Sequence, residues 1–298
     1  MAALLLAGLI AGCDNGSSGP PFVLGYSSID PTPSNDTLPQ AAFDGTNFLV
    51  VYDDVPPSSA DHNVIGAFVD QYGNVLNYPN IVNSPANEQV PQVAFDGTNY
   101  LVVYQEDNGS DHDIMGVLVA PISPINPTGL VGTPFPIDAS SNDDTVPTVA
   151  FNGSYYLVAY QRANGTNSSI IGALVDPAGN VLTGSPFTID DSANVNIAPA
   201  VASNRTTFLV AYQLSTGHTA GDILGAVVDP TISATPPAVT PPFAIDASSL
   251  NDQAPAVASD GTNYLVVYQE VYSTDRDIRG TIVDPTGPSV PNYRIPID

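Results

Sequence analysis

The sequence predicts an all-β protein, a β-propeller of five blades with four antiparallel strands in each. Three observations carry this: one unit recurs five times, each unit holds four strand signals, and helix signals are nearly missing. The units begin at Pro39, Pro91, Pro147, Pro199 and Pro255, spaced 52, 56, 52 and 56 residues apart. A tyrosine follows each proline by 13 residues, at Tyr52, Tyr104, Tyr160, Tyr212 and Tyr268. Each unit also places a glycine in an apolar run, at Gly66, Gly116, Gly172, Gly225 and Gly280. Ile81, Ile137, Ile189 and Ile245 stand 10 residues before the next proline, and Ile29 and Ile297 extend that series.

The second unit shows how each one reads. Val93-Ala94-Phe95 is a short apolar strand, and Asp96-Gly97-Thr98-Asn99 is a tight turn whose glycine supplies the positive φ a hairpin needs. Tyr100 to Gln105 is a second strand, rich in β-branched and aromatic residues. Ile114 to Val119 is a third, and its glycine predicts that another backbone passes close by. The Pro-Phe-x-Ile-Asp segment, Pro134 to Asp138 here, is the fourth. Four strands in roughly fifty residues is the length of a propeller blade. The second and third strands are apolar on both faces, as strands sandwiched between neighbouring blades must be. The fourth-strand signal occurs six times against five for the others. The extra copy, between Phe22 and Asp30, is a spare strand able to pair with a neighbouring molecule.

Composition narrows the function classes. Apolar residues make up 43% of the chain, enough for a folded core. Thirty acids against five arginines and no lysine give a net charge of −25. Such a surface repels nucleic acid and anionic headgroups, because each phosphate contact needs a cation. It favours cations or a basic partner instead.

Cys13 is the only cysteine, so no internal disulfide can form. Leu9-Ile10-Ala11-Gly12-Cys13, closing an apolar run from Ala2, resembles the bacterial lipobox, although the basic n-region is missing. The resemblance implies a signal peptide over 1–12 and lipid on Cys13, while the Gly- and Ser-rich residues that follow read as a flexible tether over 13–21 and the repeats place the propeller over 22–298. It also implies an extracytoplasmic place on a bacterial membrane or cell surface.

The Phe-Asp-Gly-Thr-Asn-Tyr-Leu-Val-Val-Tyr core at Phe95 to Tyr104, with Asp-Ile-x-Gly and Val-Asp-Pro-x-Gly, resembles repeats of large bacterial secreted and surface β-propeller proteins. Those repeats commonly carry tryptophan where this chain has Tyr52 or Tyr104. The resemblance implies the fold and the extracytoplasmic setting and no particular reaction.

Chemistry is expected on the face bearing the fourth-to-first and second-to-third connections. Asp36, Glu88, Asp144, Asn196 and Asp252 stand three residues before the repeat prolines. They could ring the channel mouth as a cation or cationic-ligand site, or cap turns. Asp107, Asp111 and Asp113 could wrap a metal ion, calcium by their oxygen chemistry, but lack the full calcium-loop spacing. Glu106 and Glu270 share one position and are gains peculiar to two blades. Gln105, Gln161, Gln213 and Gln269 recur at one strand end, where an amide satisfies backbone groups or recognises sugar hydroxyls.

The favoured function is a surface-anchored, non-catalytic module binding a protein, glycan or cation. The first alternative is a propeller hydrolase acting on polysaccharide, with carboxylates in the channel. The second is a structural surface protein that assembles by strand exchange through 22–30.

Overall fold

The computed structural model describes residues 28–30, 32–123, 126, 132–215, 221–272, 275–286 and 295–296. The expected signal peptide, Cys13, the tether and most of the spare strand lie outside them. Among the described residues there is no helix, and the strands form five successive antiparallel blades. The chain is a five-bladed β-propeller. The innermost strands are Asn35–Phe43, Asn87–Phe95, Asp144–Phe151, Val195–Ser203 and Asn251–Ser259. Each hairpins into a second strand, as Asn87–Phe95 does into Tyr100–Asp107, then into a third, His112–Val119. A short outer strand completes the blade, Phe135–Asp138 in the second and Asn80–Val82 in the first.

The hairpin turns form as their residues require. Gly97 takes φ +100°, while Asp96 Oδ1 accepts from the amides of Thr98 and Asn99, both at 2.6 Å. The glycine of the third strand has a different cause from the one expected. What approaches is side chain, not a second backbone: a Cβ on Gly172 would meet Phe187 Cζ at 2.8 Å and Ile189 Cδ1 at 3.0 Å. Phenylalanine and isoleucine of the outer strand therefore lie flat across the glycine.

Every inner strand also carries a bulge at the residue before its repeat proline. Leu38, Val90, Val146, Ala198 and Ala254 all have φ between 51° and 53°, and the pairing register slips there. A β-branched residue in this region is strained, so its recurrence means the fold imposes it. The next blade's bulge is tied from behind: Gln105 Oε1 accepts from the Val146 amide at 3.0 Å, and Gln213 Oε1 from the Ala254 amide at 3.5 Å. Two of the four glutamines thus satisfy backbone donors across blade boundaries.

Side chains alternate along each strand, so every blade has a rear and a front flank. The core lies between blades, not within them. Leu49, Val51, Val64 and Phe68 on the rear of blade 1 pack against Tyr100, Val102, Tyr104 and Val117 on the front of blade 2. The pattern repeats at the next three boundaries. Each buried aliphatic side chain contributes roughly 1.5–3 kcal/mol, so these boundaries hold the propeller together. Polar bonds align them: Tyr156 donates its hydroxyl to the Asn99 carbonyl at 3.0 Å, and Tyr100 to that of Asn47 at 3.2 Å.

Candidate functional site

The residues singled out in the sequence converge on one repeated position. The bulge fixes the inner strand so that Asp36 faces Asp54, Glu88 faces Glu106, Asp144 faces Arg162, Asn196 faces Leu214, and Asp252 faces Glu270 across the first hairpin. A third member comes from the outer strand of the preceding blade: Val82, Asp138, Asp190 or Asp246, with Asp30 taking that part before blade 1. The repeat tyrosine supports it. Tyr160 donates to Asp138 at 2.6 Å, Tyr212 to Asp190 at 2.7 Å, Tyr52 to Asp30 at 2.8 Å, and Tyr268 to Asp246.

These outer-strand aspartates and Arg162 are the functional-position residues that sequence reasoning passed over. The signal was present as a constant separation of 22 residues between aspartate and tyrosine. Glu88, Asp144, Asn196 and Asp252 are fully buried between blades, while Asp36 is exposed.

The five sites share geometry and differ in charge. At the second boundary Arg162 closes the site, its Nε and Nη2 each 2.8 Å from Asp144 and its Nη2 also on Asp138. Burial still pushes Asp144 up to about 6, against the pull of the guanidinium. At the third boundary Asn196 and Leu214 leave Asp190 as the one acid of the trio. At the fourth, Asp246, Asp252 and Glu270 bring carboxylate oxygens within 4.8 Å of one another, with Arg279 Nε 2.8 Å from Glu270. Asp30, Asp36 and Asp54 gather equally closely on the front of blade 1.

The first boundary is the exception. Val82 replaces the aspartate, so no group among the described residues bonds the buried Tyr104 hydroxyl. Glu88 accepts at Oε1 from the Ser84 hydroxyl, whereas its buried Oε2 has no protein partner. Burial drives the Glu88 carboxyl up to about 7, and the nearby charges of Glu106 and Asp61 push the same way. Glu106 is half-buried and is likewise raised, chiefly by burial and then by Asp113. The next pair along the hairpin, Asn87 and Asp107, lines a cavity of about 430 Å³ with Pro85, Ala86, Asn108 and Gly109. Glu88 and Glu106 thus pair across the hairpin next to the residue pair that lines this cavity, and neither lines the cavity itself.

The remaining candidates serve the loops. Gly109 donates its amide to Asp107 at 2.8 Å, and Asn108 Nδ2 reaches Asp111 at 2.7 Å and Asp113 at 3.0 Å. The carboxylates considered for calcium are engaged by the turn's own donors. His62 Nδ1 pairs with Asp53 at 2.8 Å, and His112 Nδ1 with Asp143 of the next blade at 2.7 Å.

No family model matches the sequence, and no curated protein matches it. In fold the chain is similar to a thermostable family-43 glycoside hydrolase, with a TM-score of 0.50 and 14% identity over 91% of this chain and 96% of that one. It is equally similar to the endo-arabinase from Bacteroides thetaiotaomicron VPI-5482, with a TM-score of 0.50 and 12% identity over 83% and 93%. The expectation of a non-catalytic binding module is corrected here. The solved propellers it resembles are glycoside hydrolases, and four of the five residues expected to ring an open mouth are buried between blades.

Proposed function

We propose that the chain is a propeller hydrolase acting on polysaccharide, with Glu88 as general acid and Glu106 as its carboxylate partner. The observation that carries this is the state of Glu88: fully buried, with one oxygen lacking a protein partner, and its carboxyl raised to about 7. Glycoside hydrolysis needs one carboxylic acid still protonated at working pH and a second carboxylate ionised beside it. Two adjacent carboxylates resist double ionisation, so the proton stays on the more buried Glu88 while the half-buried Glu106 ionises first. Glu88 would protonate the leaving oxygen of the glycosidic bond. Glu106 would stabilise the positive charge that develops on the sugar, or activate water. The fold supports the reading, since the propellers it resembles are named as a glycoside hydrolase and an endo-arabinase.

The test is reducing-end release from a panel of soluble polysaccharides. Glu88→Gln and Glu106→Gln are each expected to lower kcat at least ~100-fold, the usual worth of general acid catalysis. The unsubstituted chain should lose kcat/KM as pH rises through about 7. Release that persists in both variants, or no release from any polysaccharide, would sink the assignment.

The lipobox-like segment supports an extracytoplasmic location, with the chain held on a bacterial membrane through lipid on Cys13. In a bacterial host, Cys13→Ser should move the protein from the membrane fraction to the soluble one. Retention in the membrane fraction would refute the anchor.

A further inference from the structure

Four times within the chain, the rear flank of one blade is sealed by the front flank of the next. Among the described residues, no such cluster seals the rear of blade 5 or the front of blade 1. Ile282 is 39% exposed, whereas its counterparts Phe68, Leu118, Leu174 and Val227 are at most 8% exposed. Leu265 and Val267 are half-buried, where Leu49, Leu101, Leu157 and Leu209 and Val51, Val103, Ala159 and Ala211 are fully buried. On blade 1, Phe48 and Val50 are half-buried, where Tyr100 and Val102 of blade 2 are fully buried.

The polar groups that align the internal boundaries are also present on these two flanks. His62 donates its amide to Asn87 of the next blade at 3.1 Å, and His112 does so to Asp143 at 3.2 Å. Arg276 occupies that rear position in blade 5, and Asn35, next to Asp36, occupies the receiving position on blade 1. Gln269, whose Oε1 accepts a long bond from Arg276 at 3.5 Å within the chain, matches Gln105 and Gln213, and the amide it would accept from across the contact belongs to Leu38, an exposed bulge residue at φ +53°. Blade 1 even carries its own copy of the preceding blade's aspartate, since Tyr52 bonds Asp30.

The charges are complementary as well. Among the described residues, the front of blade 1 gathers Asp30, Asp36 and Asp54 without an arginine, and Arg276 is an exposed cation in a chain of net charge −25. Copies of so acidic a chain repel one another unless a cation faces the acids at the contact.

We propose that a second copy of this chain docks the rear of its blade 5 onto the front of blade 1, head to tail. The contact repeats the four internal boundaries, with Arg276 reaching the Asp36 cluster and Gln269 accepting from Leu38. It is heterologous, so it builds a ring of copies or an open array.

Sedimentation velocity of the full chain in detergent, across a concentration series, tests this. Species heavier than the monomer should grow with concentration. Ile282→Asp and Arg276→Glu should each weaken association at least ~10-fold. Both positions are solvent-facing, and an unchanged far-UV spectrum confirms that each variant folds. Arg276→Glu combined with Asp36→Arg should restore association. A monomer at every concentration overturns the proposal. Association unchanged by Ile282→Asp or by Arg276→Glu overturns it too.

Discussion

Arg162→Ala is expected to destabilise the protein by about 3–5 kcal/mol, the cost of leaving buried charge without its partner. The guanidinium is the cation of a site in which Asp144 is fully buried and Asp138 nearly so. The loss should depend on pH. Even beside Arg162, burial holds the Asp144 pKa near 6, above its ordinary 3.8. Without the arginine it climbs further, because the group that opposed burial is gone. A carboxyl whose folded pKa is raised keeps its contribution below the unfolded pKa and loses it as pH rises through the folded value. The variant should therefore lie nearer to wild type at pH 4 than at pH 8, as read by urea unfolding at both. Blade 4 supplies the control. Its corresponding pair is Asn196 and Leu214, with Asp190 still bonded to the tyrosine. Asp144→Asn with Arg162→Leu copies that neutral arrangement into blade 3 and should recover most of the loss. An Arg162→Ala variant whose deficit is the same at both pH values would show that Asp144 is not the stranded charge.

The same comparison shows what the sequence could and could not reveal. Blades and strands were legible because their causes are local: Asp-Gly turns, alternation and repeat spacing survive in one dimension. The tyrosine row was legible as packing, since an aromatic recurring once per blade has the neighbouring blade as its natural surroundings. Burial of Glu88, Asp144, Asn196 and Asp252 was not legible. A residue just before a strand looks like a loop residue, and only the bulge at Val90 and its equivalents turns it between the blades. The special character of the first boundary was hidden for another reason. Val82 is an unremarkable apolar residue in an apolar strand, and its effect is on partners elsewhere, the Tyr104 hydroxyl and Glu88. The exposed outer flanks of blades 1 and 5 follow from how five similar units are arranged in space, which the repeat does not encode.

Glu88→Gln should make the protein more stable at pH 8 while removing the proposed activity. The folded pKa of Glu88 is about 7, against an ordinary 4.5. The folded state thus holds a proton that the unfolded chain releases between those values. The Glu88 contribution is fully present below about pH 4.5, declines as pH rises and levels off above about 7. At about 1.4 kcal/mol per pH unit, a shift of this size corresponds to a decline of about 3 kcal/mol. An amide in the same place cannot ionise and shows no such decline. The difference in unfolding free energy between variant and wild type should accordingly grow from pH 4.5 to pH 7.5 and then stay level. Glu106→Gln removes a neighbouring carboxylate and should shift the wild-type decline to lower pH without abolishing it. If Glu88→Gln and wild type instead keep a constant difference across that range, Glu88 titrates as an ordinary glutamate. It would then be ionised at neutral pH and could not be the general acid, because a carboxylate has no proton to give to the leaving oxygen.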